Sequence, residues 1–153
     1  DTLDGGDGND LLRGGAANDT LNGGTGNDTL YGDGGNDFLR GGNQSDTYIF
    51  EAGFGQDIVS DAGWSNQSGA DEIVFGPGIS LDDIQVKATA TDLIISFAGA
   101  DDSLRIIAPL GTDDLLGLRC RPTDFGATRR SEYEERIASK RWRELWPKVQ
   151  FLD

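Results

Sequence analysis

The 153-residue sequence contains no histidine, no methionine and a single cysteine, Cys120. Without histidine, the chain itself has no histidine-ligated zinc site, no Ser/His/Asp triad and no Cys/His dyad. One cysteine forms no internal disulfide, and because no histidine is available to activate it, we interpret Cys120 as a buried or incidental thiol. GxSxG, HExxH and P-loop motifs are also missing, so most enzyme mechanisms are excluded.

Basic residues and long apolar runs are scarce as well. The 13 Lys and Arg residues face 27 Asp and Glu residues, which gives a net charge of −14. This charge argues against a nucleic-acid partner and suits cations. No apolar run approaches the roughly 20 residues of a membrane span, and the polar start is not a cleavable signal peptide. We expect no membrane span, and we interpret the chain as a fragment that begins inside a pattern.

Glycine is abundant, with 23 residues against 4 prolines, and it follows a period of nine. The successive units read GGDGNDLLR, GGAANDTLN, GGTGNDTLY, GDGGNDFLR and GGNQSDTYI, starting at Gly5. The sixth position is always aspartate: Asp1, Asp10, Asp19, Asp28, Asp37 and Asp46. The eighth position is Leu or Tyr: Leu3, Leu12, Leu21, Leu30, Leu39 and Tyr48. Such a regular short period indicates a repeat architecture.

Each unit divides into a glycine-rich turn and a short strand whose middle side chain points inward. One leucine per unit makes no core alone, but stacked units place leucine over leucine in a solenoid. If each unit forms half a coil, units two apart are stacked. The aspartates then pair vertically as Asp1 with Asp19, Asp10 with Asp28, Asp19 with Asp37, and Asp28 with Asp46.

Stacked aspartates repel one another, and the tight turns aim backbone carbonyls at the same region. A hard cation with six or more oxygen ligands relieves both problems, and calcium accepts mixed carboxylate and carbonyl ligands more readily than magnesium. The sequence therefore predicts about four calcium ions in the repeat. The predicted ligand residues are Asp1, Asp10, Asp19, Asp28, Asp37, Asp46, Gly6, Gly8, Gly15, Gly24, Gly26 and Gly35.

The segments GGDGND, GGTGND and their diverged copies resemble the RTX family of haemolysin-type calcium-binding repeats. The stretches DTYIFEAGFGQDIVSD and DEIVFGPGISLDDIQV resemble the segment that follows the last repeat in that family, so the likeness extends to about residue 108. The resemblance implies a parallel β-roll with calcium between its turns. It also implies a secreted bacterial protein exported by a type I secretion apparatus that reads an uncleaved C-terminal signal.

Three segments are predicted within a mainly β fold. Residues 1–46 form the nonapeptide-repeat β-roll, and residues 47–110 form a small β cap with strands at 47–50, 57–60, 72–75, 84–88, 93–97 and 103–107. Residues 111–153 hold nine of the 13 basic residues and form a tail with an amphipathic helix that starts near Ser131 and ends before Pro147. That helix is either a secretion or docking element or simply packs on the cap.

Some positions depart from the consensus or leave alternatives open. Ala17 and Gln44 replace the fourth-position glycine, and Asp33 replaces the second, so we expect weaker calcium binding at those turns. The acidic residues after the repeats are interpreted as solvated turns and caps, with acid/base catalysis or extra calcium sites as the alternatives; they are Asp71, Glu72, Asp82, Asp83, Asp101 and Asp102.

Three functions fit these patterns. The first is a non-catalytic calcium-binding module that folds on binding calcium and serves the export and folding of a larger protein. The second is the tail of a secreted hydrolase or sugar-modifying enzyme whose catalytic domain lies before Asp1. The third is an adhesion or partner-docking module. We also expect self-association through the apolar end of the first coil at Leu3 and Leu12, because solenoids normally need a cap at both ends.

Overall fold

The fold follows from strands that stack in parallel at a fixed sequence spacing. The computed structural model describes residues 1–60, 71–88, 92–107, 119–122 and 150–151. Within these residues the strands are Thr2–Asp7 (β1), Leu11–Ala16 (β2), Thr20–Thr25 (β3), Thr29–Gly34 (β4), Phe38–Asn43 (β5), Thr47–Phe50 (β6), Gln56–Ser60 (β7), Glu72–Phe75 (β8), Ile84–Ala88 (β9), Asp92–Phe97 (β10), Ser103–Ile107 (β11), Arg119–Pro122 (β12) and Gln150–Phe151 (β13). A single 3₁₀ turn spans Leu81–Asp83.

Each nonapeptide forms half of a coil, as the period predicts. The odd strands β1, β3, β5 and β7 lie side by side in one sheet, and the even strands β2, β4, β6 and β8 lie side by side in the other. All these pairs are parallel, and Leu3 lies opposite Leu21 while Leu12 lies opposite Leu30. Units two apart are therefore stacked, and the predicted mainly β, roll-like fold is confirmed.

The inward side chains form a continuous apolar core between the two sheets. Leu21, Leu30 and Leu39 are fully buried, and so is Tyr48 at the same repeat position. Burying a leucine contributes roughly 1.5 to 3 kcal/mol, so one unit alone cannot offset its own ordering entropy, whereas a stack can. The backbone N–H of Gly41 donates a 2.7 Å hydrogen bond to the Tyr48 hydroxyl, so this buried polar atom is satisfied.

Both sheets continue beyond the last nonapeptide. β7 pairs with β5 and β8 pairs with β6, again in parallel. On the far side of β7, β11 is parallel to it, whereas β10 and β9 follow as antiparallel neighbours. The six strands predicted after Thr47 are all present, with β7 and β10 each starting one residue earlier than expected.

Aromatic side chains fill the space where the stacked coils meet the antiparallel strands. The Phe50 and Phe54 rings lie 5.0 Å apart, and Phe97 makes edge contacts with both Phe54 and Phe75 at 6.0 and 5.5 Å. Such tilted and edge-on pairs add to the burial energy of the rings. The aromatic cluster therefore joins the roll to the hairpin of β10 and β11.

The predicted tail helix lies outside the described residues. What is described there is a strand pair, with β12 parallel to β8 and β13 parallel to β12. Cys120 lies in β12, opposite Ile73. In the described ranges, no helix is long and apolar enough to cross a membrane.

Asp102 satisfies backbone donors at the end of the stack. Within the roll, turn N–H groups such as that of Gly8 bond to a carbonyl of the next coil. For the last turn, the Asp102 carboxylate takes over this role and accepts hydrogen bonds from Gly53 N at 2.7 Å and Gly55 N at 3.0 Å. Asp102 therefore caps the last turn, which is one of the roles expected for the acidic residues after the repeats.

We expect Asp102→Ala to lower the free energy of unfolding by about 2 kcal/mol, because two backbone donors lose a charged acceptor. Urea unfolding with calcium present measures the loss. Asp101→Ala is the matched control, since Asp101 is the adjacent carboxylate and is exposed. Equal losses in the two variants would contradict the role of Asp102.

Candidate calcium site

The parallel stacking arranges the sixth-position aspartates in two rows. Each aspartate ends a turn between the two sheets, so alternate repeats contribute to opposite edges of the roll. One row holds Asp1, Asp19 and Asp37, and the other holds Asp10, Asp28 and Asp46. The vertical pairs expected from the sequence are therefore the neighbours observed in each row.

One carboxylate oxygen of each stacked aspartate has a defined backbone partner. Oδ1 of Asp28 accepts a 2.8 Å hydrogen bond from Asp10 N, and Oδ1 of Asp37 accepts one of 2.7 Å from Asp19 N. Oδ1 of Asp46 accepts from Asp28 N at 2.8 Å, and Oδ1 of Asp19 lies 2.5 Å from the terminal amine of Asp1. The aspartates thus hold successive coils together.

The other carboxylate oxygen is buried and has no hydrogen-bond partner. This holds for Oδ2 of Asp10, Asp19, Asp28 and Asp37. Asp19, Asp28 and Asp37 are 4%, 1% and 2% exposed. An unpaired buried charge is strongly unfavourable, so these oxygens fit a bound cation.

The first glycine of each repeat makes room for that second oxygen. A Cβ added to Gly5 would lie 2.7 Å from Oδ2 of Asp10, and one on Gly14 would lie 2.8 Å from Oδ2 of Asp19. These glycines do not have a positive φ, so the requirement is steric. In the sequence, this steric requirement appears as a glycine that always precedes the aspartate by five residues. A left-handed backbone does not explain the glycine at that position.

The second and fourth glycines meet a conformational requirement instead. All six glycines predicted as carbonyl ligands have positive φ, with values from 92° at Gly6 to 151° at Gly35. Their carbonyls face the next coil, because a Cβ on Gly24 would lie 2.1 Å from the Gly6 oxygen and one on Gly26 would lie 2.0 Å from the Gly8 oxygen. Their part in calcium binding stays a prediction.

The three consensus departures occupy these same positions. Ala17, Asp33 and Gln44 are the non-glycine residues with positive φ among those described, at 92°, 64° and 78°. Asp33 gains a partner, since Arg13 Nη2 and Nε donate to its carboxylate at 2.5 and 3.0 Å. The Arg13 guanidinium also lies 4.5 Å from the centre of the Tyr31 ring.

A second row of side chains, which was not predicted from the sequence, lies beside the aspartates. Oδ1 of Asn9 accepts a 2.9 Å hydrogen bond from Asn27 N, and Oδ1 of Asn18 accepts one of 2.9 Å from Asn36 N. The asparagines bond to the coil that follows, whereas the aspartates bond to the coil that precedes. The frequent asparagine at the fifth position was the available signal.

Two aspartates outside the nine-residue register extend the rows; Asp57 was not predicted from the sequence, whereas Asp71 was interpreted as a solvated turn or cap. Oδ1 of Asp57 accepts a 2.8 Å hydrogen bond from Asp37 N, and Oδ1 of Asp71 accepts one of 2.9 Å from Asp46 N. Asp57 is 1% exposed and Asp71 is 6% exposed. The interpretation of Asp71 as a solvated turn residue is therefore wrong.

Burial raises the pKa of two carboxyl groups, those of Asp37 and Asp57. Loss of hydration raises the pKa of Asp37, and the Asp19 and Asp33 charges raise it further. Burial raises the pKa of Asp57 to about 7, with added repulsion from Asp37 and Asp102 and an opposing effect from the Asp37 N–H.

Carboxylates alone do not complete a metal site in the described part of the chain. No three Asp, Glu, Cys or His side chains converge there on one point. A calcium ion takes six to eight oxygen ligands. Two stacked carboxylates would therefore need backbone carbonyls of the turns to complete the coordination.

Comparison with known proteins agrees with this arrangement. A family model described as the RTX calcium-binding nonapeptide repeat (4 copies) matches residues 1–30, 13–48 and 23–59. Residues 1–59 are RTX calcium-binding repeats. Calcium is thus the ion that these repeats bind.

Two other comparisons extend beyond the repeats. A nucleotidyltransferase family model matches residues 85–151, most of which lie outside the described ranges. The solution structure of the AlgE6R3 subunit from the Azotobacter vinelandii mannuronan C5-epimerase is 23% identical, with a TM-score of 0.39, and the match covers 74% of this chain and 79% of that chain. No curated protein sequence matches the chain.

The strained turn at Ala17 provides a direct test of the glycine positions. We expect Ala17→Gly to raise the free energy of unfolding in calcium by about 1 kcal/mol, because a left-handed backbone costs a non-glycine residue about that much. Gly26→Ala should lower it by at least about 2 kcal/mol, since the new Cβ would meet the Gly8 carbonyl.

Gly8→Ala is the control for Gly26→Ala. Gly8 has φ of 115°, but no atom lies within 4 Å of an added Cβ, so only the conformational cost applies. Chemical unfolding of the variants measures the differences. A loss at Gly26 no larger than the loss at Gly8 would contradict the stacking contact.

The raised pKa of Asp57 predicts a pH dependence for the metal-free chain. The folded pKa of about 7 lies above the ordinary 3.8, so folding binds a proton and stability falls as pH rises from about 4 to 7. With calcium bound the sign reverses, because the ligands must be ionised. The β signal by circular dichroism in chelator, and the free energy of unfolding in calcium, each compared at pH 5 and pH 7, measure the two slopes, and Asp57→Asn should flatten the metal-free slope. Equal slopes in chelator and calcium would contradict the prediction.

Proposed function

We propose that the chain is a non-catalytic module of a larger exported bacterial protein, and that it folds when calcium binds between its coils. The observation that carries this proposal is the line of buried Oδ2 atoms on Asp10, Asp19, Asp28 and Asp37, none of which has a hydrogen-bond partner. A folded chain without cations keeps these charges buried and uncompensated. Calcium converts this unfavourable arrangement into a coordinated one.

The stacking distance supports calcium as the bridging ion. Neighbouring strands lie about 4.8 Å apart, and calcium binds oxygen at about 2.3 to 2.6 Å. An ion midway between two stacked turns therefore reaches oxygens of both. We assign the carboxylates to the six aspartates Asp1 to Asp46 of the repeat register and the carbonyls to the turn glycines Gly6, Gly8, Gly15, Gly24, Gly26 and Gly35.

The excess of acidic over basic side chains makes folding dependent on the surrounding calcium concentration. In residues 1–60, Arg13 and Arg40 are the basic side chains against 11 acidic ones. With affinities of order 10 to 100 µM and calcium near 1 mM, each site would add on the order of 1.5 to 3 kcal/mol by mass action. About four such sites equal the total stability of a small domain.

This dependence suits a protein that leaves the cell. A chain that stays unfolded where calcium is scarce can pass through a secretion channel and fold outside, where calcium is abundant. We therefore propose an extracellular location and a type I secretion apparatus as the export partner, with residues 111–153 as the export or docking element. Self-association through the end of the first coil at Leu3 and Leu12 belongs to the same proposal.

A far-UV circular dichroism titration of the metal-free chain tests calcium-gated folding. We expect a cooperative gain of β signal with calcium and none with magnesium, which prefers a rigid octahedron. The combined variant Asp10→Asn, Asp19→Asn and Asp28→Asn should require at least tenfold more calcium. Asparagine keeps the Oδ1 acceptor and removes the charge, so the backbone hydrogen bonds are preserved.

The matched control changes three aspartates outside the rows to asparagine, namely Asp4, Asp7 and Asp83, all of which are exposed. It has the same net charge as the test variant and should keep the wild-type midpoint. Equal midpoints for test and control variants would refute the ligand assignment. A β spectrum that chelator leaves unchanged would refute calcium-gated folding.

A further inference from the structure

Asn22 and Gly23 form the one asparagine–glycine pair in the sequence. Such a pair is chemically reactive, because glycine has no side chain to hinder attack of its backbone nitrogen on the preceding asparagine amide. The roll does not allow this glycine to be replaced, since a Cβ on Gly23 would clash with Oδ2 of Asp28 and with the Gly41 oxygen. The residue before the glycine therefore decides the reactivity, and it is asparagine only in the second of the five repeat units.

The folded roll holds the two reacting groups apart. Asn22 and Gly23 lie in β3, which is paired with β1 on one side and with β5 on the other. Asn22 Nδ2 donates a 3.1 Å hydrogen bond to Oδ1 of Asp4, so the side-chain amide is held beside β1. Ring closure needs the Gly23 nitrogen to turn towards Cγ of Asn22. An extended strand that is paired on both sides does not permit that rotation.

We infer that Asn22 is a site of spontaneous deamidation that reacts in the metal-free, unfolded chain and is protected in the folded roll. The Gly23 nitrogen attacks Cγ of Asn22, the Cγ–Nδ2 bond breaks, and the amide nitrogen leaves as ammonia with the proton of the Gly23 N–H. Water then opens the five-membered imide at either carbonyl, which gives aspartate or isoaspartate. The inference rests on the proposed calcium-gated folding and adds to it a covalent consequence of remaining unfolded.

The aspartate product fits the roll. In the register of the sheet, position 22 lies between Asp4 of β1 and Arg40 of β5. A carboxylate at this position loses the hydrogen bond to Asp4 and is repelled by it, but it gains Arg40 as a cationic neighbour on the other side. Asp4 and Arg40 are both exposed, so these two effects are small. We therefore expect the aspartate form to refold with calcium.

The isoaspartate product does not fit the roll. In isoaspartate the main chain runs through Cγ, which adds one carbon to the backbone of β3. The pairing of Leu21 before this carbon and the pairing of Gly24 after it can no longer both keep their register with β5. Leu21 is fully buried, so the register also decides the packing of the core. A chain that stays unfolded therefore loses the ability to form the roll as isoaspartate accumulates.

Parallel incubation of the wild-type chain in chelator and in calcium, at mildly alkaline pH, tests the site. Mass spectrometry of proteolytic peptides, with chromatographic separation of the aspartate and isoaspartate forms, follows position 22 over time. We expect conversion in chelator and conversion at least about tenfold slower in calcium, because a folded chain reacts only through the fraction that opens. Far-UV circular dichroism of the same samples shows whether the chain is folded.

Asn22→Gln separates this modification from other damage. Glutamine must close a six-membered ring, which is slow, and it keeps a side-chain amide that can bond to Asp4. After incubation in chelator, the wild-type chain should recover less β signal on addition of calcium, whereas Asn22→Gln should recover more. Asn43→Gln is the matched control, because Asn43 is an exposed strand residue followed by Gln44 and should lose β signal as the wild type does.

The outcomes separate this site from calcium-gated folding. Slower conversion of Asn22 in calcium, with recovery preserved in Asn22→Gln and lost in Asn43→Gln, supports the inference. Equal conversion in calcium and in chelator, in samples whose spectra show folding with calcium, overturns it and leaves the proposed function intact.

The remaining outcomes also decide. Recovery in Asn22→Gln that falls as in the wild type overturns the effect on refolding. If Asn22→Gln does not fold in calcium, the wild-type chains decide, because those that refold must contain less isoaspartate than those that do not. A spectrum that calcium does not change refutes the proposed function itself, and the calcium dependence of the Asn22 reaction with it.

Discussion

The roll depends on the aspartate that ends each turn. Its Oδ1 accepts the backbone N–H of the preceding coil, as between Asp28 and Asp10, while its Oδ2 is buried without a hydrogen-bond partner along much of the row. The same contact that sets the stacking register therefore concentrates negative charge. Leucine burial favours the stack, and charge burial opposes it. A bound cation offsets the buried charge, and this balance is the basis of the proposed calcium-gated folding.

The turn chemistry follows from the same arrangement. The first glycine leaves room for a carboxylate oxygen, as Gly5 does for Asp10, whereas the second and fourth adopt left-handed backbone and direct carbonyls toward the next coil. The asparagine row bonds in the opposite direction to the aspartate row, so each turn is held from above and from below. Asp33 shows how a departure is accommodated, because its strained position also brings its carboxylate to Arg13.

At the junction between the last coil and the β10–β11 hairpin, aromatic side chains and a carboxylate replace the contacts that a further coil would make. The inward leucines give way to Tyr48 and then to Phe50 and Phe54, which are buried and continue the core. Asp102 supplies the acceptor that a further coil would have provided. The roll thus passes into antiparallel strands without leaving its last N–H groups unsatisfied.

The sequence by itself determined the coil, because a nine-residue period with one inward leucine allows half a coil per unit and stacks aspartates 18 residues apart. It also determined calcium, since the row of carboxylates requires a hard cation. Only the tertiary structure decided that Asp57, Asp71 and Asp102 continue or end the rows. Their spacings of 20 and 25 residues from Asp37 and Asp46 break the period, and hydrogen bonds between distant strands set their positions. A sequence period predicts which residues stack only while the spacing is regular. After an insertion, the stacking partner depends on which strands pair in the folded chain.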